Sequence, residues 1–399
     1  MAASKLPMHI LVDEMLPRLP VKSLLRFKSV FQFFKTLIST PEFAHRHLCQ
    51  SISSGAKRLV ILIGDSGYLY TFHFDFPEIP VFRLRLPSDI NRFSDGRIVV
   101  VGSTHGLACI CTSFSTLVIF NPSTGIYRQI HYDYIYRPYS CTTYGFGFDD
   151  VNHDYKVVRV TLHDLYNDDD DYMYHVGVSR EVKVYSLKSD SWSLIEKTAC
   201  IQVSMEALEN NALIDNHLVH WRFGNSSNDE HRIGCFDLRN NGWADDVPLP
   251  DFCSQRGTNT AARSANIQSQ AYGNKQVHIQ HLGVLDGCLC LLTMDFQRYE
   301  HDIWVMKEYR VKDSWVKLLR IPRIISLEWL KISPFVCGKG SRSKNLREEE
   351  LRSKLAETVR CIATDGLPPY CQACVCNGSL VSIPDGEWCE IQAMDDEEE

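Results

Sequence analysis

The chain has 399 residues, of which 44% are hydrophobic and 23% charged, so it holds ample material for a core and is too apolar for a disordered chain. Its 42 Lys and Arg stand against 49 Asp and Glu, a formal net charge of −7, and it lacks the basic field on which non-specific nucleic-acid binding depends. Apolar runs such as Leu59 to Ile63 fall far short of the ~20 residues of a membrane-spanning helix, and the first twenty residues interrupt their apolar positions with Asp13 and Glu14. With no secretory signal, the fifteen cysteines read as thiols in a reducing compartment, cytoplasm or nucleus. The length suggests two or three domains.

The amino-terminal stretch reads as helix. Ile10, Leu11, Met15 and Leu16 mark a first helix that Pro17 ends. Leu24, Leu25 and Phe27 mark a second, entered through Pro20. Val30, Phe33, Phe34, Leu37 and Ile38 fall at i, i+3, i+4, i+7 and i+8, one stripe of a third helix, and Ser39-Thr40-Pro41 stops it. A unit of about forty residues rarely holds itself together without staples or a partner. Its apolar surface must be covered, either by the rest of this chain or by another protein.

From about Leu59 the chain changes to β-rich bursts between Gly, Asn, Asp and Pro turns. One pattern is strand, Gly- or Asn-centred turn, strand: Leu59–Phe74, Ile98–Cys111, Ala212–Trp221, Leu282–Leu292 and Ala373–Ile383. A second is strand, polar turn, aromatic and short strand: Val118 to Tyr127, Val182 to Trp192, Ile233 to Trp243 and Ile303 to Trp315. The two alternate at roughly 50–70 residues per pair, about what a four-stranded antiparallel sheet repeated around an axis needs. The pattern predicts a degenerate β-propeller of the kelch kind with six blades; an irregular stack of β-sandwiches is the alternative.

Three segments fit no blade. Residues 164–172 form an acidic loop, residues 254–280 a polar surface loop, and residues 338–358 a charged insert. The chain ends in an acidic tail.

The segment Leu6-Pro7, Ile10-Leu11-Val12, Leu19-Pro20-Val21-Lys22-Ser23-Leu24-Leu25-Arg26-Phe27-Lys28, Val30, Leu37-Ile38 and Pro41-Glu42-Phe43 resembles an F-box. The β part is similar to the F-box-associated interaction domain of plant F-box proteins, often labelled F-box/kelch-repeat. The matching residues include Gly102 to Leu107, Phe120-Asn121-Pro122-Ser123-Thr124, Tyr144-Gly145-Phe146-Gly147-Phe148-Asp149, Asp154 to Val160, Glu181 to Leu187 and Leu282 to Leu291. The resemblance covers roughly residues 5–337 and resumes near 359–383.

It implies a small all-α F-box of three helices over residues 1–50, then a mostly-β, degenerate kelch-like propeller over 51–390, then the tail at 391–399. It also implies a non-catalytic substrate receptor of an SCF-type (Skp–cullin–F-box) ubiquitin ligase. The F-box would bind a Skp-type adaptor, and through it a cullin; the β domain would capture a target protein. Neither nucleic acid nor membrane is an implied partner, and no cofactor is implied. Leu6, Pro7, Leu19, Pro20, Val21, Leu24, Leu25, Val30 and Phe34 match the family's adaptor-facing and packing positions. Lys22, Arg26 and Lys28 would meet an acidic adaptor at the rim. Met8 and His9 stand where the family usually has acidic residues, Phe34 where Trp is common, and Phe31 and Phe33 where small or polar residues are usual. The insert at 338–358 replaces strands of the family. A binding module that no longer engages the adaptor is the alternative, and the target itself is not encoded in any motif.

Motifs with other chemistry are weak. Gly64-Asp65-Ser66-Gly67 echoes a serine nucleophile but sits where a hairpin turn needs such residues. Cys371, Cys374 and Cys376 are spaced for zinc but lack a matching second pair, with Cys288, Cys290, Cys109, Cys111 and Cys389 as distant candidates. The Asp168–Asp171 run lacks the spacing of a calcium loop, and no Gly-rich phosphate loop opens a helix.

Overall fold

The computed structural model describes residues 7–54, 57–63, 68–73, 82–85, 98–113, 116–131, 140–167, 174–201, 211–224, 231–250, 277–285, 287–295, 298, 300–322, 330–332, 371–388 and 391–393. The expected insert at 338–358 and the Gly64–Gly67 motif lie outside these residues, as does most of the polar loop at 254–280.

The amino-terminal unit is helical, with different boundaries from those expected. Ile10–Met15 is a π-helical turn that tightens into a 3₁₀ turn over Leu16–Arg18, where Pro17 ends the segment. The helices are α1 (Val21–Val30), α2 (Gln32–Ile38) and α3 (Pro41–Ser54). Phe31, at φ −145° and ψ 129°, is extended and separates α1 from α2, so Val30 does not belong to the α2 stripe. α2 ends at Ile38, before Ser39-Thr40-Pro41 as expected, and Pro41 also opens α3, where a missing N–H costs no hydrogen bond. The Thr40 hydroxyl caps α3 by accepting the Phe43 amide at 3.2 Å. The helical unit thus runs to Ser54, four residues beyond the expected boundary at 50.

The β domain contains five sheets among the described residues, one fewer than expected. The first begins with β1 (Lys57–Ile63), β2 (Tyr68–His73) and β3 (Phe82–Arg85). The second holds β4 (Val99–Thr104), β5 (Leu107–Ser113), β6 (Thr116–Phe120) and β7 (Ile126–His131). The third holds β8 (Ser140–Asp149), β9 (Asp154–Asn167), β10 (Tyr174–Ser186) and β11 (Ser191–Ile201). The fourth holds β12 (Asn211–Ile214), β13 (Leu218–Gly224), β14 (His231–Asp237) and β15 (Gly242–Val247). The fifth holds β16 (Val277–Leu285), β17 (Cys288–Asp295), β18 (Glu300–Met306) and β19 (Trp315–Pro322).

The last strands return to the start. β20 (Leu330–Ile332) and β21 (Cys371–Asn377) join the first sheet, with β21 antiparallel to β1 from Lys57↔Asn377 to Ile63↔Cys371. β22 (Glu387–Trp388) pairs with β7, and β23 (Ile391–Ala393) pairs with β3 inside the stretch read as an acidic tail. The first sheet therefore contains both ends of the β domain. The hairpin expected over Ala373–Ile383 does not form: β21 is followed by irregular chain.

The second sequence pattern has a common geometry. Phe120 faces Tyr127, Tyr185 faces Trp192, Phe236 faces Trp243 and Met306 faces Trp315, each pair flanking the turn before the outermost strand of its hairpin. Cross-strand pairs of this kind fix the register of a hairpin. Turn chemistry follows the sequence as well. His105 and Gly106 both have positive φ (45° and 78°), the two-residue turn whose twist suits a hairpin.

The sheets stack face to face in chain order. One core lies between the second and third sheets, with Leu107, Leu117, Ile119 and Phe146. A second lies between the third and fourth, with Val160, Val182, Trp221 and Phe236, and a third between the fourth and fifth, with Ile214, Leu282, Leu291 and Trp315. Strands covered on both faces read as unbroken apolar runs, as in Leu117-Val118-Ile119-Phe120. On the inner strands, Asn211 Nδ2 donates to the carbonyls of Val101 and Tyr144, 2.9 Å each, tying β12 to β4 and β8. This is a β-propeller-like arrangement of antiparallel, mostly four-stranded sheets.

Candidate functional site

The core of the helical unit holds Leu16, Val21, Leu24, Ile38, Phe43 and Ala44, together with Leu380 from the chain after β21. Leu11, Leu19, Leu25, Phe34 and Leu37 pack at its edge. His47 is buried in α3 and its Nε2 donates to the Leu19 carbonyl at 3.0 Å, which pins the start of α1. Burial lowers the His47 pKa, with a smaller opposing effect from that hydrogen bond.

This core sorts the candidate contact residues. Val21 (3% exposed) and Leu24 (0%) face inward, as packing positions of that set do. Leu19 and Leu25 are half-buried against the same core. Pro7 and Pro20 are exposed, and their carbonyls start the turns that follow: Pro7 accepts from Ile10 and Leu11, Pro20 from Ser23 and Leu24. Leu6 lies outside the described residues. Val30 is 77% exposed.

Around Val30 is an aromatic patch. The Phe34 ring is half-buried and has three ring neighbours: Phe33 at 5.5 Å, Phe27 at 5.7 Å and Phe31 at 6.2 Å. Phe31 is 63% exposed, Phe33 41% and Phe27 37%. Tilted ring pairs at these separations hold one another in place. The extended residue Phe31 is what turns this patch outward, because it starts α2 in a new direction.

The charges nearby are of one sign. Residues 21–38 carry Lys22, Arg26, Lys28 and Lys35 and no carboxylate. Burial, and then the neighbouring Lys35, lowers the Lys28 pKa. An apolar surface rimmed by cations suits a partner with an apolar socket and an acidic border. Sequence reasoning placed Val30 and Phe34 here; Phe27, Phe31 and Phe33 complete the surface. Phe31 and Phe33 stood out in the sequence as departures from a family pattern, and that was the available signal.

The β domain presents its tight turns at one end. These include 105–106 and 121–125 in the second sheet, 150–153 and 187–190 in the third, and 215–217 and 238–241 in the fourth. The helical unit sits at this end: Val21 and Ser51 approach Gly378, which lies beside Ser123 of the β6–β7 turn. The strands β9 and β15 run away from it. β9 ends at Asn167 and β15 at Val247, at the opposite end; residues 168–173 and 251–276 lie outside the described residues.

Of the candidate metal ligands, the side chains of Cys371, Cys374 and Cys389 lie outside what the structure describes. Among the described residues no group of three His, Cys, Asp or Glu side chains is placed to hold a metal ion. Cys290 and Cys376 are instead buried in β17 and β21. Burial pushes the Cys290 thiol far up, away from the thiolate that binds metal. Asp164, read as the start of the acidic loop, lies within β9, which runs to Asn167.

A profile of the F-box associated beta propeller domain matches residues 59–342 of the chain. The F-box protein CPR1 of Arabidopsis thaliana is 31% identical over 388 residues, covering 89% of this chain and 84% of that protein. A second Arabidopsis thaliana F-box protein is 31% identical over 359 residues, covering 85% and 79%. An F-box/kelch-repeat protein of the same plant is 28% identical over 327 residues, covering 79% of each.

Proposed function

The chain belongs to the family of F-box proteins that carry an F-box associated β-propeller domain, and on that premise we propose that it is a substrate receptor of an SCF-type ubiquitin ligase. The helical unit is the F-box, and its surface of Phe27, Val30, Phe31, Phe33 and Phe34 docks on a Skp-type adaptor that a cullin in turn holds. The β domain, read as a degenerate kelch-like propeller, captures the protein to be ubiquitinated. The receptor supplies no reacting group. Its contribution is proximity: a target lysine held beside a charged conjugating enzyme reacts at a raised effective concentration.

The observation that carries this reading is the aromatic patch. Three half-exposed Phe rings and a 77% exposed Val on two short helices form an apolar surface that a monomeric protein leaves in water at a loss. Burying one such side chain gains roughly 1.5–3 kcal/mol, so a partner that covers several gains enough for stable docking. The basic rim gives that partner an acidic border. Among the described residues no helix is long and apolar enough to cross a membrane; cytoplasm and nucleus, where the ligase works, are the proposed locations. Co-purification with a plant Skp adaptor tests the reading, and substitution of Val30 and Phe31 locates the contact.

A further inference from the structure

The chain after β21 touches three parts of the molecule in turn. Asn377 ends β21 in the first sheet. At Gly378 a Cβ would lie 3.8 Å from Val21 Cγ2 and 3.9 Å from the hydroxyls of Ser51 and Ser123, so this residue passes between α1, α3 and the β6–β7 turn. Ser379 is fully buried. Leu380 enters the helical core beside Leu16, Val21 and Leu24, while Ile383 enters the core between the second and third sheets. Glu387 then accepts the Tyr127 hydroxyl at 2.7 Å, and β22 closes on β7.

Asn121 holds this segment through its amide nitrogen, and its amide oxygen fixes Ser123, which makes a further contact. Its Nδ2 donates to the Ser379 carbonyl at 3.1 Å and to the Val381 carbonyl at 2.8 Å. Its Oδ1 accepts the Ser123 amide at 2.9 Å, and the Ser123 hydroxyl accepts the Ser379 amide at 3.3 Å. Gly106 (φ +78°) makes room: a Cβ there would lie 2.0 Å from Ser379 Cβ.

From these contacts we infer that residues 377–388 are a strap that locks the helical unit onto the β domain as one rigid body, with Leu380 as the inserted side chain and Asn121 as its positioning residue. The aromatic face of α1 and α2 is thereby held at a fixed orientation to the far end of the β domain. The unit that is too small to complete its own core borrows a leucine from the carboxy-terminal part of the chain.

Hydrogen exchange on the full-length chain tests this, comparing wild type with Leu380→Ala, Leu380→Met and Asn121→Asp. The last keeps the acceptor for Ser123 and removes the donor to the strap. In Leu380→Ala and Asn121→Asp, amides of α1–α3 should exchange at least tenfold faster while those of β8–β15 keep their wild-type rates; Leu380→Met, which conserves volume, should stay close to wild type. Helices that keep their protection in both variants would overturn the inference. So would an equal loss across the third and fourth sheets in Leu380→Ala, because Leu380 would then support the whole fold and not a joint within it.

Discussion

The Tyr309 hydroxyl donates to Nε2 of His220 at 2.7 Å, bridging the fourth and fifth sheets. The other ring nitrogen, Nδ1, faces the Ala212 carbonyl at 3.2 Å and carries a proton, so in the neutral ring Nε2 is the acceptor. Burial holds the His220 pKa at about 4. The unfolded chain takes up this proton near 6.5 and the folded chain only near 4, so stability falls as pH drops through that window and levels off below it. At about 1.36 kcal/mol per unit the loss reaches about 3 kcal/mol. His105, held at about 4 mainly by burial and secondly by His45, acts in the same direction. Urea midpoints between pH 7.5 and 4.5 should decline, and His220→Gln should lower the midpoint at pH 7.5 and flatten the decline. An unchanged slope in that variant would show that His220 titrates normally in the fold.

The run Tyr144 to Asp149 alternates aromatic residues with glycine because one face of β8 lies directly against the fourth sheet. A Cβ at Gly145 would meet Val219 Cγ1 at 2.4 Å, and one at Gly147 would meet the Asn216 carbonyl and Leu238 Cδ1, both at 2.5 Å. Gly147→Ala should destabilise by about 1–3 kcal/mol, the usual range for overpacking. Gly242→Ala is the control, since a Cβ there has only one neighbour within 4 Å, at 3.9 Å. Thermal melts of the two variants should separate by several degrees; equal melts would mean that β8 can shift away from its neighbour.

A buried ion pair secures the third sheet to the fourth. Lys156 Nζ lies 2.7 Å from Asp149 Oδ2, with the two side chains 7% and 0% exposed. The ammonium also donates to the Leu238 carbonyl at 2.7 Å and to Asn241 Oδ1 at 3.0 Å. Burial alone would raise the Asp149 pKa, but hydrogen bonds from Lys156 and Asn152 outweigh it and hold the carboxyl at about 2. Its contribution is therefore present above pH 4 and is lost as pH falls toward 2. Lys156→Met leaves a buried carboxylate unpaired and should cost about 3–5 kcal/mol at pH 7. Adding Asp149→Leu should restore part of that loss; a double variant no more stable than Lys156→Met would contradict the pairing.

The sequence exposed most of what is local. Hairpins announced themselves through their turns, as at His105-Gly106, and through the aromatic seven to nine residues after its partner, as in Tyr185 and Trp192. Non-local relations were hidden. Nothing near Leu380 says that it belongs with Leu24, because their contact depends on the return of β21 to β1. Pro41 was ambiguous for a physical reason: the residue that ends one helix equally well begins the next. At Phe31 a continuous apolar spacing masked a break, so Val30 read as stripe when it is surface. Of the proposed contact surface, Phe34 and Val30 were named from the sequence; which of the leucines turn inward was not legible, since helical spacing alone does not say which side the core lies on.

The aromatic patch should also govern solubility. Phe31→Ser and Phe33→Ser remove exposed rings that touch the core only through Phe34, so the cost in folding stability should be limited to the lost ring pairs, about 0.5–1.5 kcal/mol each. Light scattering of the isolated protein should show less self-association in the double variant. Association equal to wild type would mean that these rings are not the exposed surface that drives it.

The central claim is tested most directly by co-purification with a plant Skp adaptor, wild type beside Val30→Asp/Phe31→Asp. Both residues are well exposed, so the substitutions should leave circular dichroism unchanged. A carboxylate buried unpaired in an apolar contact costs several kcal/mol, which predicts at least a hundredfold loss of adaptor affinity. Tight binding by wild type and its loss in the folded variant is the predicted result. Folded wild type that binds no adaptor, or a variant that binds as well as wild type, would contradict the account.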